Sequence, residues 1–415
     1  MSTVVGLAAA DRKRYRRGTD RIVPPEATLA RVRPLLPVMG ITRIANVTGL
    51  DRVGIPVVMV SRPNARSISV SQGKGLDLTA AKASGLMEAI ETYHAETITL
   101  PVKFASFSEL CYSHRMIDVA GLPFCAGSRW RDDLAMLWIE GRDLLSGDPV
   151  WLPYELVSAN YTQPLPPGSG CFAANTNGLA SGNSLAEAIC HGMCELIERD
   201  ATTLWRFQSE AARAARAVHP DTIDDPDCRA LLACFERAGI AVRIWDATSD
   251  IEVACFQCLI MGQHARDADP EFGSGCHPRR EVALCRALTE AAQARTTYIV
   301  GARDDLGSEL YEDEIRAGRA QEARALFEGP PPARDVRAVP SWDVETVEDD
   351  IEELLRRLQQ VGIRQAAFVE LTNPAFRLPV ARVVIPGLEG AYHEAGDYLA
   401  GPRALAALRA EGEPA

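Results

Sequence analysis

Lysine is almost missing from this chain. Of its 44 basic residues only Lys13, Lys74, Lys82 and Lys103 are lysines. That bias suits GC-rich coding more than a physical constraint, and it makes Lys74 stand out. No apolar run approaches the ~20 residues that span a bilayer. No secretory signal is evident, because the short apolar start is followed rather than preceded by the basic run Arg12 to Arg17. The 11 cysteines are odd in number and scattered. They offer no disulfide framework, so a reducing cytoplasm is the expected compartment. Neither G-x-x-x-x-G-K-[ST] nor G-x-S-x-G occurs, which removes the Walker phosphate loop and the nucleophile elbow. A net charge of −12 argues against nucleic acid as the main partner.

What is present is the composition of an ordinary globule, 47% hydrophobic and 24% charged over 415 residues. That length can bury a large core, as one elaborate domain or as two or three subdomains. The stretch from Ser181 to Asp200 organises the chain. Ser184 followed by Glu187 reads as a capping box, so a helix should start near Ser184. Leu185, Ala188, Ile189, Gly192, Leu196 and Ile197 fall on one face at helical spacing. Glu187, His191, Cys194, Glu195 and Glu198 fall on the other.

The same pattern occurs earlier in the chain. Gly85 to Glu91 matches Gly192 to Glu198 as G-x-x-E-x-I-E, and at the same offset Gly75 and Asp77 match Gly182 and Ser184. Asp77 and Ser184 both suit an N-cap. Around Glu88 and Glu91 the first helix is nearly all small or apolar, which is the pattern of a buried helix. Carboxylates on a buried helix need cations or must stay protonated. Alone, the second copy reads as a solvated polar face. The duplication shifts the balance to a shared carboxylate cluster holding hard cations, of the kind that suits Mg2+ with a phosphorylated ligand.

The rest of the chain reads in order. Residues 1–22 look like a poorly ordered tail, and 24–39 like a helix broken by Pro34 and Pro37. Strands near 57–61 and 67–71 flank the turn Arg62-Pro63-Asn64-Ala65. The second runs into Gly73-Lys74-Gly75 and then the first Glu helix, an order that can present backbone amides to phosphate, although a simple tight turn explains it as well. Two later segments share one order of helix, Gly-Ile, strand, turn and strand: Leu231 onward with Gly239-Ile240, and Leu354 onward with Gly362-Ile363. They suggest internal pseudo-symmetry, with paired sheets and helices on one side. A third helix over Glu281 to Thr297 carries Arg286 and Glu290 at i, i+4, a spacing that also fits a plain surface ion pair. Cys255-x-x-Cys258 lies in an expected strand, where residues three apart face opposite ways, so a metal or redox role is discounted. The expected fold is α+β, with a tail and helix over 1–39, a main domain over 40–395 (subdomains near 40–220, 221–327 and 341–395) and a tail over 396–415.

These motifs together resemble the YcaO family. The matching segments are Ser71-Gln72-Gly73-Lys74-Gly75 through Glu88-x-x-Glu91, Asn177 to Asn183 through Glu195-x-x-Glu198-Arg199-Asp200, Arg286-x-x-x-Glu290, and Pro386-Gly387-Leu388-Glu389. The resemblance implies a YcaO-like fold with an ATP and Mg2+ site between subdomains. It also implies ATP-dependent activation of a peptide backbone amide. A nucleophile adds to the amide carbon, the amide oxygen is phosphorylated, and phosphate leaves. By resemblance Glu88, Glu91, Glu187, Glu195, Glu198 and Glu290 hold the metal, and Glu88, Glu195, Glu198 and Arg286 are catalytic. Arg62, Ser71, Lys74, Asn183, Glu187, Arg199, Arg286 and Glu290 bind the nucleotide, with Glu187 also explained by capping alone.

Azoline-forming members of this family typically end in Pro-x-Pro-x-Pro, and this chain does not; nor is there room for a fused leader-binding domain. The compact form resembles the members that work with a TfuA protein and install thioamides in a ribosomally made peptide or a protein. Azoline cyclodehydration with a separate leader-binding partner, and a non-catalytic nucleotide-binding accessory subunit, are the alternatives. The expected partners are a precursor peptide or protein, a TfuA-like protein and a second copy in a homodimer. Neither nucleic acid nor membrane is expected.

Overall fold

The computed structural model describes residues 11–263, 269–305, 307–390 and 399–411. The fold is α+β and uses one recurring unit. First, helix α1 (Pro25–Val32) leads through Gly40-Ile41 into antiparallel strands β1 (Arg43–Asn46), β2 (Val57–Ser61) and β3 (Val70–Lys74), and β3 runs into the long helix α2 (Leu78–Glu96). Then come β4 (Val102–Ala105), α3 (Phe107–Leu110), β5 (Met136–Asp143), β6 (Pro149–Pro153), β7 (Leu179–Ser181), α4 (Leu185–Arg206) and α5 (Glu210–Ala215). The unit repeats as α6 (Pro226–Arg237), Gly239-Ile240, β8 (Ile240–Asp246), β9 (Cys255–Gly262), β10 (Glu271–Cys276) and α7 (Arg280–Val300). After α8 (Asp313–Glu328) a shorter version follows: α9 (Val347–Gln360), Gly362-Ile363, β11 (Ala367–Glu370) and β12 (Val380–Val384), with α10 (Pro402–Glu411) behind it.

The three turn glycines Gly40, Gly239 and Gly362 have φ of 69°, 64° and 88°, which any residue with a Cβ resists. Two of these units show in the sequence. The first is hidden there because Pro34 breaks its helix into a short 3-10 turn at Arg33–Leu35.

The strands form three sheets in the orders β1-β2-β3, β10-β9-β8 and β4-β5-β11-β12-β7, with β6 on β5. β11 and β12 therefore stand between β5 and β7, and the chain's last strands close a sheet begun by its first half. β3 and β10 end the two smaller sheets, and each lies glycine-first on the helix that follows it. A Cβ on Gly73 would fall 2.1 Å from the Ala81 carbonyl oxygen, and one on Gly275 2.1 Å from that of Ala283. These contacts draw α2 and α7 onto the strand ends and set the height of the acids they carry. No described helix is long and apolar enough to cross a membrane.

The N-terminal segment overturns one expectation. From residue 11 it is not a loose tail but a strap across α9 and α4. Lys13 N donates to Glu345 O and Val347 N to Asp11 O, both at 3.0 Å. Lys13, only 6% exposed, sits 2.5 Å from Asp350 and 3.6 Å from Asp20, and Asp20 in turn takes Arg279 at 2.9 Å. A basic run reads as a loose tail when carboxylates that hold it, Asp343 and Asp350, lie more than 300 residues away in sequence.

Candidate active site

The two Glu-bearing helices start as their caps predict. Asp77 caps α2 by accepting from Ala80 N, and Ser184 caps α4 by accepting from Glu187 N. The capping box is not reciprocal, however. The Glu187 carboxylate accepts from Asn183 N at 2.8 Å, Asn183 Nδ2 at 3.1 Å and Ile22 N at 2.5 Å, so it ties the strap to the helix start.

The other five acids form one connected cluster between β3, β7, β10 and helices α2, α4 and α7. Glu88 accepts from Gln72 N at 3.2 Å. Glu91 accepts from Ser181 N at 2.9 Å and Ser181 Oγ at 2.7 Å. Glu195 accepts from Gly178 N at 3.1 Å. Glu198 accepts from Ser274 Oγ and Cys276 N, each at 2.9 Å. Glu290 accepts from Ser274 N and Oγ at 3.3 and 3.1 Å and pairs with Lys74. Arg199 reaches Glu195 and Glu198, both at 3.4 Å. The N–H groups used on β10 belong to residues 274 and 276, whose amides point away from β9. Its open edge thus faces the cluster.

Burial dominates the electrostatics. It lifts Glu88 to about 7 against the help of Gln72 N–H, Arg303 and Lys74. It lifts Glu91 to about 8, where Ser181 opposes the shift and Glu88 and Glu195 add to it. Glu195 rises for the same first reason, with Arg199 pulling down and Glu198 pushing up. Glu290 goes the other way. Burial would raise it, but Lys74, Arg199 and Arg286 hold it well below the ordinary carboxylate range. The site thus divides into a proton-hungry end at Glu88, Glu91 and Glu195 and an ionised, cation-rich end at Glu290.

A second recess adjoins the cluster, lined by Arg21, Glu187, His191, His277 and Arg286 among others. Burial and then Arg286 push both His191 and His277 well below the usual histidine range. The Nε atoms of Arg199 and Arg286 are buried without a partner. Asn183 binds α1 through Thr28 at 2.9 Å, beside this recess. Ser71 is buried on β3, on the Gly73 face toward α2 by strand alternation.

Arg62 does not join the site. It is 4% exposed and donates to Glu96 at 2.6 Å and Thr92 at 2.8 Å, so its charge is already satisfied at the far end of α2. Two residues that the sequence does not single out do join. Arg303, past the end of α7, is held by Asp305 and adds positive charge on the Glu88 side, its loop pinned by Ser69 donating to Asp304 at 2.9 Å. Arg21 comes from the strap. Neither has a local sequence signal, because loop and strap are placed only by tertiary contacts.

The donor set fits Mg2+ with a nucleotide. Among the described residues no three His, Cys, Asp or Glu groups converge as a ready-made cage. Mg2+ is commonly held by one or two carboxylates plus substrate phosphates and water, not by an all-protein cage. Carboxylates kept partly protonated by burial are what a divalent cation would ionise, and orphaned guanidinium N–H groups beside them suit phosphate oxygens.

Comparison with known proteins agrees with this chemistry. The YcaO family model, described as YcaO cyclodehydratase, ATP- and Mg2+-binding, matches residues 72–389. An uncharacterized protein in the tfuA 3′ region of Rhizobium leguminosarum bv. trifolii is 36% identical over 396 residues, 92% of each chain. An uncharacterized protein of Methanothermobacter thermautotrophicus is 36% identical over 377 residues, 88% of this chain and 94% of that one. The fold matches YcaO from Methanopyrus kandleri bound with AMPPCP and Mg2+ at a TM-score of 0.72 and 23% identity, covering 91% of this chain and 95% of that one. It matches a heterocyclase in complex with substrate and cofactor at 0.79 and 24%, over 98% of this chain but only 57% of that one. The chain belongs to the YcaO family and is an ATP- and Mg2+-dependent enzyme of that peptide-modifying type.

Proposed function

We propose that this chain activates a peptide backbone amide by O-phosphorylation and so installs a thioamide in a ribosomally made peptide or a protein, with a TfuA-like partner delivering sulfur. The observation that carries amide activation is the Ser274 bridge between Glu198 and Glu290 beside Lys74 and Arg199. It joins carboxylates able to hold a cation to cations able to hold phosphate, within one edge of β10. The relative from a tfuA region favours sulfur as the nucleophile.

In this reading Glu88, Glu91, Glu195, Glu198 and Glu290 hold Mg2+, and Lys74, Arg199 and Arg286 orient the nucleotide phosphates. Bound Mg2+ neutralises charge as the phosphoryl group transfers. Sulfide adds to the amide carbon and the carbonyl electron pair moves onto oxygen. That oxygen takes the γ-phosphoryl group as the bond to ADP breaks, and collapse expels phosphate with the former amide oxygen. Amide, hydrosulfide and ATP become thioamide, ADP and hydrogen phosphate, so atoms and charge balance. Glu187, Asn183 and Arg21 close the neighbouring recess through the strap. A homodimer and a cytoplasmic setting are part of the same proposal.

Azoline formation is the second reading, favoured by the cyclodehydratase description of the family. Intact mass of a candidate peptide after incubation with the chain, its partner, Mg·ATP and sulfide separates the two. Thioamidation adds about 16 Da, whereas azoline formation removes about 18 Da without any need for sulfide. No mass change despite tight ATP binding would favour an accessory role.

A further inference from the structure

Arg382 lies on β12, opposite Leu179 of β7, and is 3% exposed. Other arginines at that depth have an evident job. Arg62 holds Glu96 at 2.6 Å and Arg295 holds Asp51 at 3.1 Å; Arg243, whose Nε is also buried without a partner, spends both terminal nitrogens on the backbone carbonyls of Phe327 and Pro330. Arg382 spends one nitrogen on Asn175, donating to its carbonyl oxygen at 2.8 Å and reaching its Oδ1 at 3.4 Å. Its Nε is buried with no partner, and so is the nearby Tyr161 hydroxyl. Among the described residues no carboxylate forms an ion pair with Arg382. A guanidinium this deep without a counter-charge is costly to the fold, and each unused donor adds to that cost.

Its surroundings say what the cost is for. The loop 175–178 holds Arg382 at one end through Asn175 and Glu195 at the other through Gly178 N. β12 is stitched to the same loop by Val383 N donating to Gly178 O at 2.8 Å. Glu195 and Arg382 feel each other's charge, and Tyr161 feels Arg382. Glu195 thus feels two arginines, Arg199 in contact at 3.4 Å and Arg382 through its charge. Arg199 comes from the next turn of α4, the side of Glu198, β10 and Lys74. Arg382 comes from β12, which pairs with β7 in a different sheet from β10. Phosphoryl transfer runs roughly in line, with acceptor and leaving group at opposite ends. If Lys74, Arg199 and Arg286 hold the nucleotide, the acceptor oxygen belongs at the other end.

We propose that Arg382, with the Tyr161 hydroxyl, binds the oxygen of the substrate amide and stabilises the anion that forms there before phosphorylation. The proposal rests on the amide-activation reading above. When the nucleophile adds to the amide carbon, the π pair moves to oxygen. Arg382 Nε–H and Tyr161 O–H donate to that oxyanion, which then attacks the γ-phosphorus as the bond to ADP breaks. Neither side chain gains or loses a proton. Burial lowers the Arg382 pKa to about 10, with Tyr161 and Glu195 supporting the charge, so the guanidinium stays cationic at neutral pH.

The same chemistry could serve a phosphate oxygen, and the test distinguishes the two. Mg·AMPPCP affinity is measured by calorimetry, and kcat and KM are measured with peptide, for wild type, Arg382→Ala, Arg382→Lys and Tyr161→Phe. The expected result is a fall in kcat of about 100-fold for Arg382→Ala and about 10-fold for Tyr161→Phe, with Mg·AMPPCP affinity within about 2-fold of wild type. Added guanidinium should restore part of the Arg382→Ala rate, which a purely structural role would not allow. An equal loss of AMPPCP affinity would assign Arg382 to phosphate and overturn the proposal, as would an unchanged kcat. If Arg382→Ala does not fold, Arg382→Lys and Tyr161→Phe decide by the same split between kcat and nucleotide affinity. Wild type that modifies no peptide would overturn the amide-activation reading and this proposal with it; active wild type with equally active variants would overturn this proposal alone.

Discussion

Glu91 accepts both the backbone N–H and the hydroxyl of Ser181, at 2.9 and 2.7 Å. That pair of hydrogen bonds joins the helix of the first Glu pair to the strand that feeds the helix of the second. The two sequence copies are therefore two walls of one site, and a change on either wall should be felt on the other. Glu91→Gln keeps the size of the side chain and removes the charge. We expect Mg2+-dependent ATP turnover to fall at least about 100-fold, the scale for loss of a group stabilising transferring charge, with circular dichroism unchanged. Turnover within a few-fold of wild type would remove Glu91 from the metal set.

The pH dependence of stability follows from the same acids. Burial raises Glu88 to about 7 and Glu91 to about 8 from an ordinary 4.5. Between those values the folded protein holds protons that the unfolded chain has released, so stability declines as pH rises. The melting temperature of the ligand-free protein should fall as pH is raised from 6.5, above which the buried His191 and His277 contribute no opposing gain, to above 8. Glu88→Gln with Glu91→Gln should flatten that slope. Mg·AMPPCP should raise the melting temperature more at the alkaline end, where binding meets ionised carboxylates. A ligand-free protein that grows more stable over this range would rule out the picture of buried, uncompensated acids.

The strap should be structural as well as positional. Lys13→Met leaves Asp350 buried without its cation, while Asp20 keeps Arg279, and breaking such a pair on one side costs about 3–5 kcal/mol. Urea titration should show that loss. Mg·AMPPCP affinity should also weaken, because the strap reaches the Glu187 recess through Ile22. A loss under about 1 kcal/mol would mean that the strap contributes little to the native state.

Gly275 tests the close packing of β10 on α7. A Cβ there would meet the Ala283 carbonyl oxygen at 2.1 Å and Ala287 N at 2.7 Å, backbone atoms that cannot step aside. Gly275→Ala should destabilise by about 1–3 kcal/mol and lower activity further by displacing Ser274 from Glu198 and Glu290. Gly318, in α8, is the control, because a Cβ added to it would have nothing within 4 Å. Gly318→Ala should be neutral or gain up to about 1 kcal/mol. Equal behaviour of the two variants in a melting experiment would show that the contact does not set the helix height.

Much of this site is readable from residues alone, for local reasons. Asp77 and Ser184 cap their helices, and a cap acts within one turn. The E-x-x-E pairs and Arg286 with Glu290 are periodic signals on helices that do form. The Gly-Ile turns after α6 and α9 are legible because glycine takes their left-handed backbone at no steric cost. What the residues do not show is non-local. The strap is ordered by Glu345, Val347 and Asp350, at the other end of the chain. Arg303 is placed by a Ser69–Asp304 contact. Arg62 follows a strand and so reads as a contact at the nucleotide mouth, but Glu96, two turns beyond Glu88 on the same helix, captures it. The sharing of one sheet by β5, β11, β12 and β7 has no local signature, because strand partners are chosen by the assembled core.

Amide activation by this site requires that the amide oxygen itself become phosphorylated. That step can be followed with a substrate peptide carrying a heavy-isotope label in its amide carbonyl oxygen, by tracing the label into inorganic phosphate with mass spectrometry. We expect one labelled oxygen in the phosphate for each amide modified, and no transfer with Glu195→Gln. Phosphate carrying only solvent oxygen while the peptide is modified would mean that the amide oxygen is never phosphorylated, and O-phosphorylation would have to be abandoned.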